Sequence, residues 1–565
     1  MNKVLRINMT NMSVKIESVK EDYKRLGGRG LTSTIIFDEV KPTCHPLGEE
    51  NKLIIAPGLL AGTYLSSSNR LSVGAKSPLT GGIKESNSGG NVAFKLAKLG
   101  IKAIIIEGKP QKSGMNLIYI SKDGVSIEDA NFIKNLNTYE ATKQIQSKFG
   151  KDKGIMVIGP AGEMKLTAAQ INVTDIEGYP SRSLGRGGMG AVMGSKGIKA
   201  IIVDDSGVAA KSSEEVNKVV KNFAKQLKEN LVTGELFAKF GTARNVMGLN
   251  ILGGLPTRNF TEGKFEKAED ISGEKLYETI VERGGESKVA HSCMPGCVIR
   301  CSKNFLDTRG EIVANSFEYE TLCLLGSNIG IGKLDEIAVL NRLCDEYGVD
   351  TMEIGGALGV LAEAGVIEFG DFEGFKKAIE EVGNGSPFGR LIGSGSVTCG
   401  RAYGIERIPA VKNQTMAAYD PRVIKGNGVT YATSPMGADH TAGNTIIVAD
   451  VVHNDPKGKV ELSRDIQINM TMMDILGMCI FTGRVSFTQT KIVEEAVKDI
   501  CGFDIAYEEL QSLAKSIILK EREFNRRAGF NEADDRLPEF MLKEPIKPFG
   551  DVFDIDYNEM DKIFD

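Results

Sequence analysis

The chain's strongest internal constraint is a repeat. Residues 100–106 read GIKAIII and residues 197–203 read GIKAIIV. Each follows a glycine-rich turn and a short helical stretch, NSGGNVAFKLAKL at 87–99 and GRGGMGAVMGSK at 185–196. The plainer explanation is coincidence between two βα units in Ile-rich company. The alternative is a duplicated half-domain in which two equivalent glycine turns face one another, a frame suited to a ligand with two similar halves. A second pair of echoes points the same way. DEYGVD at 345–350 and DILGMC at 474–479 share Asp-x-x-Gly followed by an apolar residue and then Asp or Cys. Each closes a helical pattern where Gly lets the chain turn sharply. A carboxylate there can accept two hydrogen bonds from an amino-heterocycle edge, and Gly lets backbone approach a flat ring.

Around these repeats the chain divides by texture. KVLRINM, NKLIIAPG, KAIIIEG, LIYIS, GIMVIG and KAIIVDD are short Ile- and Val-rich runs, most bounded by Gly, Pro or Asp, and read as strands. From about residue 211, SSEEVNKVVKNFAKQLKENL has a Ser cap signal, early acids and apolar residues at helical spacing. Similar helices are predicted at about 333–347, 353–365, 372–382, 464–478, 491–500 and 507–526. The expected organisation is a strand-rich domain over 1–208 and two mainly helical domains over 209–410 and 411–565, the second boundary placed at RIPAVKNQ. A length of 565 residues suffices for several cores.

Composition removes several functions. The net charge is −5, which argues against a generally nucleic-acid-binding surface. No apolar run approaches the ~18 residues of a membrane helix. The N-terminus alternates like a strand and lacks a signal-peptide apolar region, so the expected location is the cytoplasm. With only 4 His, a multi-histidine metal site is not expected. The 9 Cys are odd in number, a poor disulfide framework.

Three of those cysteines crowd into AHSCMPGCVIRCSKN, with Cys293, Cys297 and Cys301 at i, i+4 and i+8. Thiolates are soft ligands suited to iron–sulfur clusters and zinc. Pro295 and Gly296 break a regular helix, so the segment can wrap around an inorganic cube. The competing readings are a stripe of buried Cys on one helix face and a zinc site, the latter disfavoured because paired C-x2-C knuckles are absent. A fourth ligand could be Cys323, Cys344, Cys399, Cys479 or Cys501. Cys479 is attractive because it closes DILGMC, which would place two redox centres within electron-transfer reach.

Other residues are individually ambiguous. GRGGMGAVMGSK resembles a phosphate loop, but its Gly-Ser-Lys order is not that of a P-loop. It can still offer backbone N–H groups and Arg186 to an anion, while tight turns between strands remain the plainer reading. Arg70 in SNRLSVGAKSPLTG could bridge a phosphate or heterocycle with its fork. His440 lies in the glycine-flanked GADHTAGN, and Glu320 enters an apolar run in SFEYETLCLLG, a position that can raise a carboxyl pKa. A lone His is more often structural, and Glu320 could simply be a helix N-terminal acid.

Taken together, these segments resemble the aldehyde ferredoxin oxidoreductase family of tungsten, sometimes molybdenum, enzymes. The resemblance runs nearly end to end, through NKLIIAPGLLAGT, SNRLSVGAKSPLTG, SNSGG, VIGPAGE, GRGGMGAVMGSKGIKAI, FEYETLCLLGSNIGI, LCDEYGVDT, YDPR, DILGMCIFT and LPEFMLKEP. It implies an α/β (α+β) fold: an N-terminal domain of two β-sheets cradling a bis-pterin metal cofactor, then two mainly α-helical domains. It implies that Arg70 lies between pterin and cluster, that Asn87, Gly89, Arg186 and Gly187 line the pterin cradle, and that Asp345 and Asp474 bond the two pterin edges near Val349, Asp350 and Met478. Cys479 would complete a [4Fe–4S] cluster with Cys293, Cys297 and Cys301, and Glu320 and His440 would handle protons. Further implied are Mg2+ bridging the pterin phosphates, a small aldehyde or acid substrate, and ferredoxin or a ferredoxin-like subunit as electron partner, without nucleic acid or membrane.

The sequence also departs from the family pattern. The family's first cysteine position is Ala290 here, and Cys301 is expected to substitute, giving C-x3-C-x3-C. A lysine two residues after the active-site histidine is replaced by Ala442. A Glu and a His that hold an intersubunit metal in some members are Val339 and Arg342, so any homodimer would lack that metal bridge. The leading expectation is aldehyde oxidation to carboxylate, reversible at low potential. Alternatives are oxidation of a 2-hydroxycarboxylate or another organic substrate of the superfamily, and an electron-transfer subunit without turnover.

Overall fold

A computed structural model describes residues 1–448 and 451–565. Its first 107 residues fold as β1 (Lys3–Asn8), β2 (Ser13–Ser18), α1 (Gly28–Glu39), β3 (Leu53–Pro57), β4 (Leu71–Lys76), β5 (Ile83–Ser88), α2 (Val92–Lys98) and β6 (Ile101–Glu107). The next segment repeats the plan as β7 (Asn116–Ser121), β8 (Gly124–Asp129), α3 (Thr138–Phe149), β9 (Gly154–Val157), α4 (Pro160–Glu163), β10 (Ile171–Val173), β11 (Arg182–Leu184), α5 (Met189–Ser195) and β12 (Ile198–Asp204). Each segment makes one six-stranded sheet. The strand orders are β2-β1-β6-β3-β4-β5 and β8-β7-β12-β9-β10-β11, the same order in both. The pairing directions also match: β1 with β6 and β7 with β12 are parallel, and the other pairs are antiparallel. The GIKAII echo is therefore the third strand of each sheet, and the sequence repeat is a structural duplication.

The continuous Ile runs of β6 and β12 follow from this placement, since a strand covered on both faces needs no polar alternation. In β6 the side chains divide by parity. Ile104 and Ile106 join a core shared with the second sheet, including Ile155, Val157, Ile201 and Val203. Ala103 and Ile105 face the opposite core, with Leu31, Ile35, Met470 and Ile475.

The remainder is mainly helical. Helix Glu214–Glu229 starts on Ser213, whose side chain accepts from the Val216 N–H. The other expected helices occur as Leu334–Tyr347, Thr351–Glu363, Phe372–Asn384, Lys459–Leu476, Thr490–Cys501 and Tyr507–Ala528. Packing crosses the sequence division near 410 in both directions. Val219, Phe223 and Leu227 share a core with Ile492, Val493 and Val497. Phe540, Phe553 and Phe564 share one with Leu322, Leu358 and Phe375. Among the described residues no single helix is long and apolar enough to cross a membrane.

Candidate active site

The duplicated halves seat two helix ends in equivalent places. Helix Leu334–Tyr347 ends at Gly348 with φ +71°, and helix Lys459–Leu476 ends at Gly477 with φ +78°, both left-handed caps. Gly477 packs on Gly58, just after β3, and Gly348 packs on Gly159, just after β9. A Cβ added to Gly58 would lie 2.1 Å from the Gly477 Cα, and one added to Gly159 would lie 2.3 Å from the Tyr347 carbonyl oxygen. No side chain fits at either contact. The residue before β4, Arg70, donates its N–H to the Gly477 carbonyl at 3.0 Å. The residue before β10, Gln170, donates to the Gly348 carbonyl at 2.9 Å. Arg70 and Gln170 are thus counterparts, a relation hidden in the sequence because their side chains share no charge.

Those helix ends bring up Asp345 and Asp474. Burial pushes the Asp345 carboxyl up to about 7; its contact to Gln170 Nε2 is long, at 3.5 Å. Burial, then Glu85, pushes the Asp474 carboxyl up as well. Asn87 Nδ2 donates to Asp474 at 3.1 Å, and Arg29 reaches it at 3.5 Å. Both carboxylates keep acceptor capacity that the protein does not use.

One cavity of about 400 Å3 connects the site. Of the residues singled out from sequence, Arg70, Asn87, Gly89, Arg186, Asp345, Asp350, Glu320, His440, Cys293, Cys301 and Cys479 line it. Cys297, Gly187, Val349, Met478 and Asp474 adjoin it without lining it. Val349 is fully buried and bridges to Ala169. Met478 packs in the core below β3 and donates its N–H to the Met473 carbonyl. Gly187 has φ +81°, and a Cβ there would strike the Lys84 side chain at 2.4 Å. Arg186 is anchored by Asp350 at 3.3 Å, the Ala438 carbonyl at 2.6 Å and the Thr415 carbonyl. Asp350 also caps helix Thr351–Glu363 through the Met352 N–H. Arg70 is held by the Asn87 carbonyl at 3.0 Å.

The cysteine loop wraps one end of the cavity. Gly296, at φ +81°, packs on Tyr64, and the Gly90 N–H donates to the Cys293 carbonyl at 2.9 Å. Ser67 ties the loop to the distant cysteine. Its hydroxyl lies 3.3 Å from Cys297 Sγ, and its carbonyl accepts the Cys479 N–H at 2.8 Å. A Cβ on Gly89 would sit 3.0 Å from Cys293 Sγ, so glycine there makes room for the thiol. Burial drives the Cys301 and Cys479 thiols above their ordinary value, and Cys479 adds to the effect on Cys301. A hydrogen bond from Cys293 pulls Cys297 down to about 6. Of the five sequence alternatives, Cys323, Cys344 and Cys399 are buried in the helical core, and Cys501 lies against the Leu59 carbonyl. Cys479 is the one that joins the trio.

Among the described residues no three His, Cys, Asp or Glu side chains converge as ligands of a single ion. A cube binds its thiolates at separate corners, so it asks for a spread set. Four thiols crowded at a buried cavity end suit such a group, which would take them as thiolates and satisfy their charge.

Glu320 and His440 face each other across the same cavity. Glu320 Oε1 lies 3.2 Å from His440 Nε2, while Oε2 accepts the Ala418 N–H at 2.8 Å. Burial raises the Glu320 carboxyl, with His440 the main opposing influence. His440 Nδ1 has no partner among the described residues. Its loop is pinned by Asp439, which accepts the Thr441 N–H at 3.0 Å and pairs with the buried Lys84 at 2.6 Å. Arg182, absent from the sequence-based candidates, also lines the cavity. It bonds Ser302 and the Asn315 carbonyl while its Nε is buried without a partner among the described residues.

Comparison with known proteins gives a consistent picture. The family model for the N-terminal domain of aldehyde ferredoxin oxidoreductase matches residues 4–205, and that for its domains 2 and 3 matches residues 218–564. Tungsten-containing aldehyde ferredoxin oxidoreductases of Pyrococcus furiosus and Thermococcus kodakarensis are each 34% identical, over 96% of this chain and 92% of theirs. The WOR-like subunit of an aliphatic sulfonate oxidoreductase from Pyrococcus furiosus is 27% identical over 78% of this chain and 74% of its own. The active-site complex BamBC of benzoyl coenzyme A reductase, solved with 1,5-dienoyl-CoA, shares the fold. Its TM-score is 0.79 at 20% identity, covering 100% of this chain and 93% of that one.

Proposed function

The chain belongs to the aldehyde ferredoxin oxidoreductase family, and on that premise we propose that it oxidises aldehydes to carboxylic acids, reversibly at low potential, with ferredoxin or a ferredoxin-like subunit as electron partner. The cofactor in this reading is a tungsten or molybdenum bis-pterin, accompanied by one [4Fe–4S] cluster and by Mg2+ on the pterin phosphates. The carrying observation is the single cavity that joins the Glu320–His440 pair to the buried Asp345 carboxyl and to Cys293, Cys301 and Cys479.

Each residue has a task that its surroundings support. Asp345 and Asp474 would accept N–H groups from the two ends of the pterin pair; both are buried and underused as acceptors. Arg186 would offer charge to the cradle from a fixed position. Arg70 would sit where the Cys479 turn meets the first half-domain. Cys293, Cys297, Cys301 and Cys479 would hold the cluster. When bound, the dithiolene-held metal supplies Lewis acidity and accepts the two electrons. The protein positions the carbonyl and moves the proton. Glu320 Oε1 and His440 Nε2 lie 3.2 Å apart, and burial raises the Glu320 carboxyl, which suits the pair to take up and release that proton. That pair also weighs against an electron-transfer subunit without turnover.

The test is viologen-linked turnover of an aldehyde panel and a 2-hydroxycarboxylate panel by anaerobically purified protein. Glu320→Gln and His440→Asn should each lower kcat by about 10²–10⁴-fold with iron content unchanged. Wild-type activity confined to hydroxycarboxylates, or full activity in both variants, would overturn the reading.

A further inference from the structure

Five arginines line the cavity, and they divide into two kinds. Arg70, Arg182 and Arg186 are anchored by hydrogen bonds to Asn87, to Ser302 and the Asn315 carbonyl, and to Asp350 and the Ala438 carbonyl, and of their buried nitrogens only the Arg182 Nε lacks a partner among the described residues. Arg244 and Arg484 are different. Neither side chain donates a hydrogen bond, and no carboxylate oxygen lies within 4.0 Å of either guanidinium, among the described residues. Both are half-buried. Each carries five donors in a planar fork. Leaving two such groups partly desolvated and unpaired has a cost, and that cost is recovered when an anion binds.

Their placement relates them to the reacting end. Arg244 closes the turn Thr242–Arg244, and its guanidinium lies 5.6 Å from the Phe237 ring centre. Phe237 stacks against Phe481 with centres 4.4 Å apart, and Arg484 follows Phe481 by three residues. Both cations line the same cavity as this aromatic pair, close enough that the charge of Arg484 acts on Arg244. Asn245, next to Arg244, faces the Tyr419 hydroxyl, and the Tyr419 ring lies 5.7 Å from the His440 ring. Ile446, Ile447 and Ile480 add apolar wall. The cavity therefore brings together a proton-handling pair, apolar wall and two cations that no carboxylate pairs among the described residues. Glu274 is an acid whose charge acts on Arg244 from beyond ion-pair distance. Burial first, then the charge of Arg484, holds the Arg244 guanidinium below its ordinary value; burial alone does so for Arg484.

We propose that the substrate aldehyde carries an anionic oxyacid group, a carboxylate in the first instance, and that Arg244 and Arg484 bind it while the carbonyl reaches Glu320 and His440. This rests on the aldehyde reading and narrows its substrate class. Two forks on one oxyanion give charge-assisted, bidentate recognition that a lysine pair would not match. The group transfers no atoms; it fixes the carbonyl's approach.

The experiment compares butanal with 4-oxobutanoate, which share a chain length and differ by the carboxylate, in the loaded enzyme with viologen as acceptor. Wild-type kcat/KM should favour 4-oxobutanoate by about tenfold or more, and the preference should shrink with added salt. Arg244→Gln and Arg484→Gln should each reduce the preference about tenfold through KM, and Arg484→Lys should restore part of it. Succinate should raise the wild-type melting temperature and not that of the double variant Arg244→Gln/Arg484→Gln. Sulfonate- and phosphate-bearing aldehydes in the same panel identify the oxyacid. Equal use of the two aldehydes, or an unchanged preference in both variants, would overturn the proposal. So would a variant effect seen only in KM for a ferredoxin acceptor, which would assign the arginines to protein docking. Butanal turnover by wild type tests the aldehyde reading by itself, so the two failures are separable.

Discussion

The two halves of the N-terminal domain share a strand order and a way of seating an Asp-x-x-Gly turn, yet they face different chemistry. In the first half the glycine contact is Gly58 to Gly477, the residue before the fourth strand is Arg70, and the turn runs on to Cys479. In the second half the contact is Gly159 with Tyr347 and Gly348, the counterpart residue is Gln170, and the turn runs on to Asp350, which pairs with Arg186. The same frame therefore ends in a thiol beside a cation on one side and in a carboxylate–arginine pair on the other. Duplicated backbone builds a seat for a ligand with two similar ends. Single side-chain differences then decide which end leads toward the cysteine cluster.

The glycine contacts offer the largest test of that division. Gly58→Ala and Gly159→Ala each force a Cβ into backbone, costing about 3 kcal/mol or more, visible in thermal melting. Gly58→Ala should also lose iron, because it displaces the turn carrying Cys479, whereas Gly159→Ala should keep it. Equal iron loss in both variants would break the comparison.

A second effect, comparable in energy but spread over about three pH units and without loss of iron, separates the buried carboxyls. Asp345 is raised to about 7. A carboxyl raised on folding contributes stability that is full below its ordinary value and is lost as pH climbs through the raised one. The cofactor-free chain should therefore lose about 4 kcal/mol between pH ~4 and ~7 from this group. Asp345→Asn should flatten that part of the slope, leaving the same-direction contribution of Asp474. Denaturant titrations across this range measure it, and an unchanged slope in Asp345→Asn would remove the assignment.

The smallest test exchanges the counterparts. Arg70→Gln removes a positive charge beside Cys479 and should lower the cluster midpoint potential, on the order of tens of millivolts. Gln170→Arg should leave it unchanged. Potentiometric titration followed by electron paramagnetic resonance reads both, and a shift from Gln170→Arg would place the second half closer to the cluster than the fold does.

Much of this frame was legible in the sequence, for identifiable reasons. β6 and β12 are long Ile runs whose repetition survives because both are buried on two faces. Gly348 and Gly477 were legible because a left-handed helix end selects glycine. Other parts were opaque. β10 and β11 have three residues each, too few for alternation to register. β5 reads IKESNS, a polar segment that looks like a loop, yet it is a largely buried strand because Lys84 pairs with Asp439 and Asn87 bonds Asp474. The relation of Arg70 to Gln170, and the lack of a carboxylate partner for Arg244 and Arg484 among the described residues, depend on how distant segments come together. No local pattern carries them.

The central claim is that one cavity couples a two-ended metal–pterin site to an iron cluster completed by Cys479. Elemental analysis of anaerobically purified protein tests it most directly. The account predicts one tungsten or molybdenum and about four irons per chain. Active protein lacking either metal would contradict it.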